Sequence, residues 1–559
     1  MALNLLVIAN ACQTVDETLA AYRLNTHDPE LLEHNNKYYL DRYRNMLPTV
    51  GGQQQEIVNT INFIRHSAGH SSFINEHNSY SLNGIYMYSF LCQSGYAGKV
   101  HLIDNMDLEP EATRALVEQV DVVILSTTFI TSADTIVRVA RVVKSWNPKV
   151  RIIAGGAKLT QFADDSEIEE AARECDALIL STNGEQTLLG LLERFEQNLP
   201  YNNIYNLALN NGSFVKTLKF PDAVNINEFH VQWDQLPGSY LRSSVNVRTG
   251  RGCPFKCKFC TFPSYNDQQM DLKSIPTLLD ELRLILKRPQ IKSVRFVDDT
   301  LFLSKKHLIN VCKELIKMEF NLPWTCYLRA STITDECARY LRDAGCKLVL
   351  VGVESADQTV LNHMAKGTKE RHNWEAAANL AKYGVLGFAF ILVGFPGETE
   401  KSVNKSIDFL NNSGIHAYVH SPLFIFPNSP VAQEAKRFHL TGGFNDWSHE
   451  SMDCHTAIEQ CARMFMEVKN AAYIDRGSSI TKVLLDHGYS VDNVKKIGIL
   501  HNQLARDEMS GHSKMKTLAE FRKMSLQAMN ENHTSAFSKF DSPYSRTGNQ
   551  LELNASARF

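Results

Sequence analysis

Five short apolar runs in the first 181 residues constrain the fold most: Leu3–Ala9, Val100–Asp104, Asp121–Ser126, Val150–Ala154 and Asp176–Ser181. A strand that is apolar on both faces has to be covered on both, and parallel sheets flanked by helices do this. The intervening pattern agrees: Ser132–Val143 gathers Ile136, Val137, Val139, Ala140 and Val143 on one side, as a βαβ crossover requires. Residues 1–210 are therefore expected to form a Rossmann-like, doubly wound α/β domain. Its first connection, residues 11–80, is polar and far longer than an ordinary βα loop, which predicts an insertion with helices and a role of its own.

A hairpin is predicted at Ile204–Leu209 and Phe214–Leu218 around Asn210-Asn211-Gly212, and an irregular stretch at Pro221–Pro237. Residues 211–240 are read as the linker. A second βα series follows, with strands expected at Val245–Arg248, Ser293–Val297, Thr325–Arg329, Leu348–Val353, Phe388–Val393 and His420–Phe426. Helical patterns such as Lys305–Met318 and Thr399–Leu410 separate them. Six units predict a partial (β/α)6 barrel over 241–430. Residues 431–529 read as a helical C-terminal region, a candidate substrate cover, and 530–559 as a flexible polar tail.

The formal charge of −3, with 44% hydrophobic and 21% charged residues, excludes bulk disorder and a basic nucleic-acid coat. Leu3–Ala9 is too short to span a bilayer and runs into Asn10, so a soluble, cytoplasmic protein with no membrane or nucleic-acid partner is expected.

Three of twelve cysteines crowd into one loop after the first barrel strand: Cys253, Cys257 and Cys260, a C-x3-C-x2-C spacing within Gly250-Arg251-Gly252-Cys253-Pro254-Phe255-Lys256-Cys257-Lys258-Phe259-Cys260. Three thiolates can hold iron or zinc, but a structural zinc wants four ligands and none follows nearby. On an iron–sulfur cube, three cysteines leave one iron open for a substrate or cofactor. A zinc ion, or three buried thiols in a tight turn, are the alternatives.

This triple, with Phe259 before its last cysteine, resembles the signature of the radical S-adenosylmethionine (SAM) enzymes. The resemblance continues through Phe296-Val297-Asp298-Asp299, Arg329, Val351-Gly352-Val353-Glu354-Ser355 and Val393-Gly394-Phe395-Pro396-Gly397-Glu398, covering Ser244–Pro430. It implies a [4Fe–4S] cluster on Cys253, Cys257 and Cys260 whose open iron chelates SAM, and an electron that cleaves SAM to methionine and a 5′-deoxyadenosyl radical. It implies Glu354 and Ser355 at SAM polar groups, Arg329 at its carboxylate, and Gly394 and Phe426 packed against adenine. Against this stand simpler roles: Glu354 and Arg329 pairing with each other, and Gly394 serving only the turn before Pro396. Of Asp298 and Asp299, adjacent on a strand, only one can address the cavity.

A doubly wound sheet before such a barrel resembles the cobalamin-binding domain of the B12-dependent subgroup. The marks are Ser126-Thr127-Thr128, Gly155-Gly156 and Asn183-Gly184-Glu185-Gln186-Thr187 at strand ends. The D-x-H-x-x-G string of histidine-ligated cobalamin domains is absent, which implies a cobalt lower face without a protein histidine. The resemblance implies a methyltransferase in which SAM both supplies the radical and remethylates cobalamin, with methylcobalamin as donor to an unactivated carbon or phosphorus centre. A flavodoxin- or ferredoxin-type electron donor would be needed.

Trp447-Ser448-His449-Glu450-Ser451-Met452 and the cysteine loop look closest to the P-methyltransferases of phosphinothricin- and bialaphos-type natural-product biosynthesis. A phosphinate among the small-molecule substrates would need cations or donors, and His416, His420, Lys436, Arg437 and His449 are the candidates. The alternatives are a cobalamin-dependent cyclase or rearrangement enzyme, and a non-catalytic iron–sulfur redox sensor.

Overall fold

The computed structural model describes residues 2–526 except 13–28, 71–73, 75–77, 97, 131, 157–158, 160–164, 211, 221–224, 263–269, 299–300, 303 and 475–477. Asp299, much of the insertion, part of the linker and the tail 530–559 thus lie outside the described residues.

The apolar runs become strands β1 (Leu5–Ile8), β2 (Val100–Ile103), β3 (Val122–Ser126), β4 (Arg151–Gly155) and β5 (Ala177–Ile179), all parallel. Leu5 and Val7 enter one core and Leu6 and Ile8 another, so both faces of β1 are buried as the unbroken apolar run requires. The hairpin strands β6 (Leu207–Asn210) and β7 (Phe214–Lys216) add antiparallel, in the order β2-β1-β3-β4-β5-β6-β7. The sheet therefore reaches into the segment expected as linker. The strand order reverses between β1 and β3, which opens a crevice at the carboxyl ends of these strands.

The second sheet holds β8 (Ser244–Val247), β9 (Ser293–Phe296), β10 (Trp324–Arg329), β11 (Cys346–Glu354), β12 (Leu386–Val393), β13 (Ala417–Pro422) and β14 (Ala472–Tyr473), adjacent in that order and all parallel. Two strands differ from expectation. β13 starts earlier than His420–Phe426 because the chain leaves the sheet at Pro422, and Ile425 instead forms an isolated antiparallel bridge with Phe444. β14, from the C-terminal region, adds a seventh strand. That region is otherwise helical except for a three-stranded antiparallel sheet, Thr441–Gly443, Asp446–His449 and Met452–Asp453.

Inward side chains divide the barrel into two halves. Towards the strands' amino ends, Leu348, Leu350, Leu386, Phe388 and Ala417 share a core with Ile57, Val58, Ile61 and Ile64 of the insertion helix Ile57–Ser67 and with Val483, Leu484, Ile497 and Phe521 of the C-terminal helices. Lys482, buried, donates to Ser244 and Ser293, the first residues of β8 and β9, and pairs with Asp486. The C-terminal helices thus close the end opposite the cysteine loop, which corrects the expectation of a substrate cover. Towards the carboxyl ends the inward residues Asn246, Arg295, Tyr327, Gly352, Phe390 and Val419 are only partly buried, so this half remains accessible.

The other insertion helix, Pro29–Asn45, packs on the strand Asp446–His449 and on the helix Cys454–Glu467. Its Asn35 and Asn36 bond Asn445, Tyr38 stacks on His455 at 4.4 Å, and Arg42 pairs with Glu459 at 2.7 Å.

Candidate active site

The cysteine loop leaves β8 under the control of Asp298. Its Oδ1 accepts the amides of Thr249 (2.7 Å) and Gly250 (2.6 Å), fixing the chain just before the first cysteine. Burial pushes the Asp298 carboxyl up to about 7 against the pull of these amides. Gly250–Gly252 then pairs antiparallel with Met270–Leu272. Further along, the Lys258 amide donates to the Met364 carbonyl, the Lys258 carbonyl accepts from the Val431 amide, and Lys258 Nζ pairs with Glu434 at 2.5 Å.

Cys257 is buried and Cys253 and Cys260 are half-buried on this loop. Among the described residues, no three His, Cys, Asp or Glu side chains converge on a single ion. Four ligands at ~2.3 Å from one zinc would stand about 4 Å apart. A structural zinc takes four such ligands and this loop offers three thiols, which suits a cluster with one open iron better.

Arg329, at the end of β10, meets the loop directly. Its guanidinium lies 3.8 Å from the centroid of the Phe255 ring and its Nη1 donates to Cys257 Sγ at 3.6 Å. Its Nη2 is buried with no hydrogen-bond partner. A buried guanidinium N–H without an acceptor is costly, so the site calls for an anionic group there.

Glu354 pairs with Lys366 at 2.7 Å rather than with Arg329. β11 slips register against β12 between Gly352 and Glu354, and Glu354 adopts φ 62°. A bulge of this kind re-aims a side chain at a local cost of about 1 kcal/mol or more. Gly352 makes the space, since a Cβ there would lie 2.7 Å from both Glu354 Oε1 and Lys366 Nζ. Lys366 Nζ also stands 5.3 Å from the Phe259 ring centroid. Phe255, Cys257, Phe259, Arg329, Glu354 and Lys366 thus form one constellation, with an acceptor and an unsatisfied donor suited to an ammonium and a carboxylate.

The other expected SAM contacts have protein partners of their own. Ser355 is fully buried and its Oγ accepts from the Asp357 amide, so it holds the loop beneath Glu354. Gly394, at φ 96°, faces Trp447: a Cβ there would come 2.5 Å from the indole and 2.8 Å from Ala457. Phe426 packs edge-on against Phe424 at 4.8 Å.

The Gly394–Glu398 turn is clasped by the residues singled out after the barrel. His449 Nε2 is 2.9 Å from the Gly394 carbonyl, which can only accept, so Nε2 carries the proton. His449 Nδ1 then accepts from the Ser451 hydroxyl, which itself accepts from the Gly397 amide. Glu398 receives the Gly394 amide, and burial pushes its carboxyl up to about 8.

The five cations considered for a phosphinate do not assemble. Burial lowers His416 to about 4 and His420 to about 3, and it lowers His449 as well, so all three are neutral. His416 Nδ1 accepts from the Gly387 amide, and His420 stacks on Tyr473 at 4.7 Å. Lys436 and Arg437 are exposed, and Arg437 pairs with Glu434.

In the first domain, the expected residues do meet at the carboxyl ends of the strands. Ser126 Oγ accepts from Asn83 at 2.6 Å and contacts Thr128 Oγ1 at 3.1 Å. Thr127 is fully buried, with a hydroxyl that lacks a hydrogen-bond partner. It packs on Gly156, whose φ of 141° and 3.0 Å from its would-be Cβ to Thr127 Oγ1 leave no room for a side chain. Gly155 and Gly184 both abut Ile179. Glu185 opens the helix Glu185–Gln197, yet its Oε1 is engaged by Tyr86 and Arg251. The Thr127 hydroxyl is thus enclosed by protein, and the partly buried Ser126 and Thr128 are the hydroxyls at this strand end that a bound group could reach.

Sequence reasoning missed Lys366, Phe255 and Tyr86, and the clasp by His449. Phe255 and His449 stand inside strings already singled out and Lys366 and Tyr86 in none, but the contact each makes arises only through the fold.

The radical SAM superfamily model matches residues 247–410. An uncharacterized methyltransferase of Pyrococcus horikoshii is 25% identical over 406 residues, covering 70% of this chain and 88% of that protein. The anaerobic magnesium-protoporphyrin IX monomethyl ester cyclase of Rubrivivax gelatinosus is 26% identical over 57% of this chain, and the cytidylyl-2-hydroxyethylphosphonate methyltransferase of Streptomyces wedmorensis 25% over 39%. The chain spans only 60% and 41% of those two proteins. Among solved structures, the cobalamin-dependent SAM radical enzyme OxsB superposes with TM-score 0.56 at 15% identity, over 86% of this chain and 81% of that one. The radical SAM methyltransferase TsrM of Kitasatospora setae gives 0.54 at 16%, over 63% and 72%. Residues 247–410 are thus similar to the radical SAM superfamily, in a chain that has the fold of OxsB and TsrM.

Proposed function

We propose that the chain is a cobalamin-dependent radical SAM methyltransferase acting on an unactivated carbon or phosphorus centre of a small molecule. The observation that carries this reading is the three-cysteine loop facing Arg329 and the Glu354–Lys366 pair at the accessible end of the barrel. When bound, a [4Fe–4S] cluster, SAM and cobalamin supply the electron transfer, the radical and the methyl group. Cys253, Cys257 and Cys260 hold the cluster and leave one iron open. Arg329 Nη2 donates to a carboxylate, and Glu354, steadied by Lys366, takes an ammonium. Ser126 and Thr128, with the glycine backbone at the ends of β3 and β4, receive the corrin edge. The apolar plug at the amino ends of the barrel strands keeps water from entering below. The methyltransferase relatives support methyl transfer, and the phosphonate methyltransferase among them keeps phosphinates within the acceptor class. The cyclase relative favours one second reading, ring closure without methyl transfer.

The test is anaerobic reconstitution of the full chain with iron, sulfide and cobalamin, followed by metal analysis and turnover. About four iron and one cobalt per chain are expected, with iron lost in Cys257→Ala and kept in Cys346→Ala. With a competent substrate, 5′-deoxyadenosine and S-adenosylhomocysteine should form together. 5′-Deoxyadenosine alone would turn the reading to the cyclase, and a full cluster in Cys257→Ala would overturn the site.

A further inference from the structure

Arg251 lies between the two cofactor regions, two residues ahead of Cys253, yet its side chain reaches into the first domain. There its Nη2 pairs with Glu185 Oε1 at 2.5 Å and donates to the Tyr86 hydroxyl, and its Nη1 donates to Asn183 Oδ1 at 3.2 Å. Tyr86 in turn donates to Glu185 Oε1 at 2.9 Å, and the Arg251 guanidinium lies 5.3 Å from the Tyr86 ring centroid. The ion-pair side chains are only 9% and 5% exposed. Asn183 and Glu185 flank Gly184 in the loop after β5, and Tyr86 sits on the helix Leu82–Gln93. One guanidinium on the cluster loop is thus bound by three side chains from the first domain.

Two features separate this contact from ordinary domain packing. The ion pair is buried, so neither charge has water to fall back on, and removing one partner strands the other. The position is also special. The loop at one end would hold the cluster, while the loop at the other lies at the strand ends where a corrin would sit.

We infer that Arg251 and Glu185, with Tyr86 and Asn183, are positioning residues that fix the distance and orientation between the cluster loop and the cobalamin-binding strand ends. This rests on the two-cofactor reading above. Glu185 then serves cobalamin indirectly, through the geometry of its loop. Because both anchoring loops are joined by a planar, multiply bonded guanidinium, their separation is defined more tightly than a single lysine contact would allow. A methyl donor and a substrate radical placed by different domains need such a constraint, since small misplacements cost rate steeply.

The test uses the full reconstituted chain and reads geometry directly. In wild type, magnetic coupling between cob(II)alamin and the reduced cluster, measured by electron paramagnetic resonance, should be single-valued. Glu185→Gln should retain iron and cobalamin content but broaden or lose that coupling, and Arg251→Lys should give an intermediate loss. In the protein without cofactors, amide exchange in residues 183–190 and 250–262 should rise together in Glu185→Gln. Unchanged coupling and exchange in both variants would overturn the inference and leave the functional reading standing. A wild-type chain that takes up iron but no cobalamin would overturn the functional reading itself and, with it, this role for the pair.

Discussion

At the scale of single residues, the site rests on a carboxylate held in an unusual place. Glu354 takes a left-handed backbone conformation at a strand bulge, and Gly352 vacates the space its ion pair occupies. A charge-assisted hydrogen bond contributes about 1.5–3 kcal/mol, and each ~1.4 kcal/mol is tenfold in affinity. Glu354→Gln is therefore expected to weaken SAM binding about tenfold or more, measured by equilibrium dialysis on the reconstituted protein, with iron content unchanged. Full affinity in that variant would remove Glu354 from the SAM site. The cysteines were legible because their chemistry lies in eleven consecutive residues. Glu354 and Arg329 were legible as strand-end residues, but not their partners. Lys366 comes twelve residues after Glu354, beyond the intervening helix Gln358–His363, and Phe255 stacks on Arg329 only because β10 ends beside the loop. Spacing carries no trace of either contact. The histidines show the converse: His416 and His420 read as possible cations, and only their burial reveals neutral rings.

At the scale of elements, strands buried on both faces were easy to read, since their apolar runs have no competing helical period. β13 was misplaced because Phe424-Ile425-Phe426 continues the apolar run past Pro422, while in the fold those residues turn away to meet Phe444. The Gly394–Glu398 turn gives the element-scale prediction. Glu398 is expected to bind a proton up to about pH 8 when folded, through burial opposed by backbone amides, against an ordinary value of 4.5 when unfolded. The folded state therefore holds more protons between these limits, and stability falls as pH rises from about 4.5 to 8, at most ~1.4 kcal/mol per pH unit. Below 4.5 both states are protonated and the effect vanishes. Glu398→Gln keeps an acceptor for the Gly394 amide and removes the titration. Its urea midpoint, plotted against pH, should lack the decline that wild type shows across this window. Parallel curves for the two proteins would mean that Glu398 is ionised in the turn.

At the scale of the whole molecule, the chain is less modular than a division into a Rossmann-like domain, a linker, a barrel and a C-terminal region implies. The insertion expected to decorate the first domain sends the helix Ile57–Ser67 into the barrel, where it joins the C-terminal helices on the inward faces of β11, β12 and β13. Backbone contacts follow the same route, with the Ser244 amide donating to the Asn78 carbonyl at 2.9 Å and Asn246 to that of Tyr80. This was hidden from the sequence because the polar residues around the helix mask its apolar face, and because nothing local says which sheet a face will cover. It also makes a prediction that separates an inserted ornament from a shared core. Ile61 is fully buried in that core, and truncating such a side chain costs about 2–5 kcal/mol. Ile61→Ala should therefore speed amide exchange in β11 and β12, far away in sequence, while β3 and β4 of the first sheet, whose cores it does not enter, keep their protection. Exchange confined to the insertion would mean that the helix docks without supporting the barrel. Acceleration in β11 and β12 would show that the walls holding Glu354 and Gly394 depend on a segment contributed from the other domain, so that the barrel's site is completed only when both domains have folded.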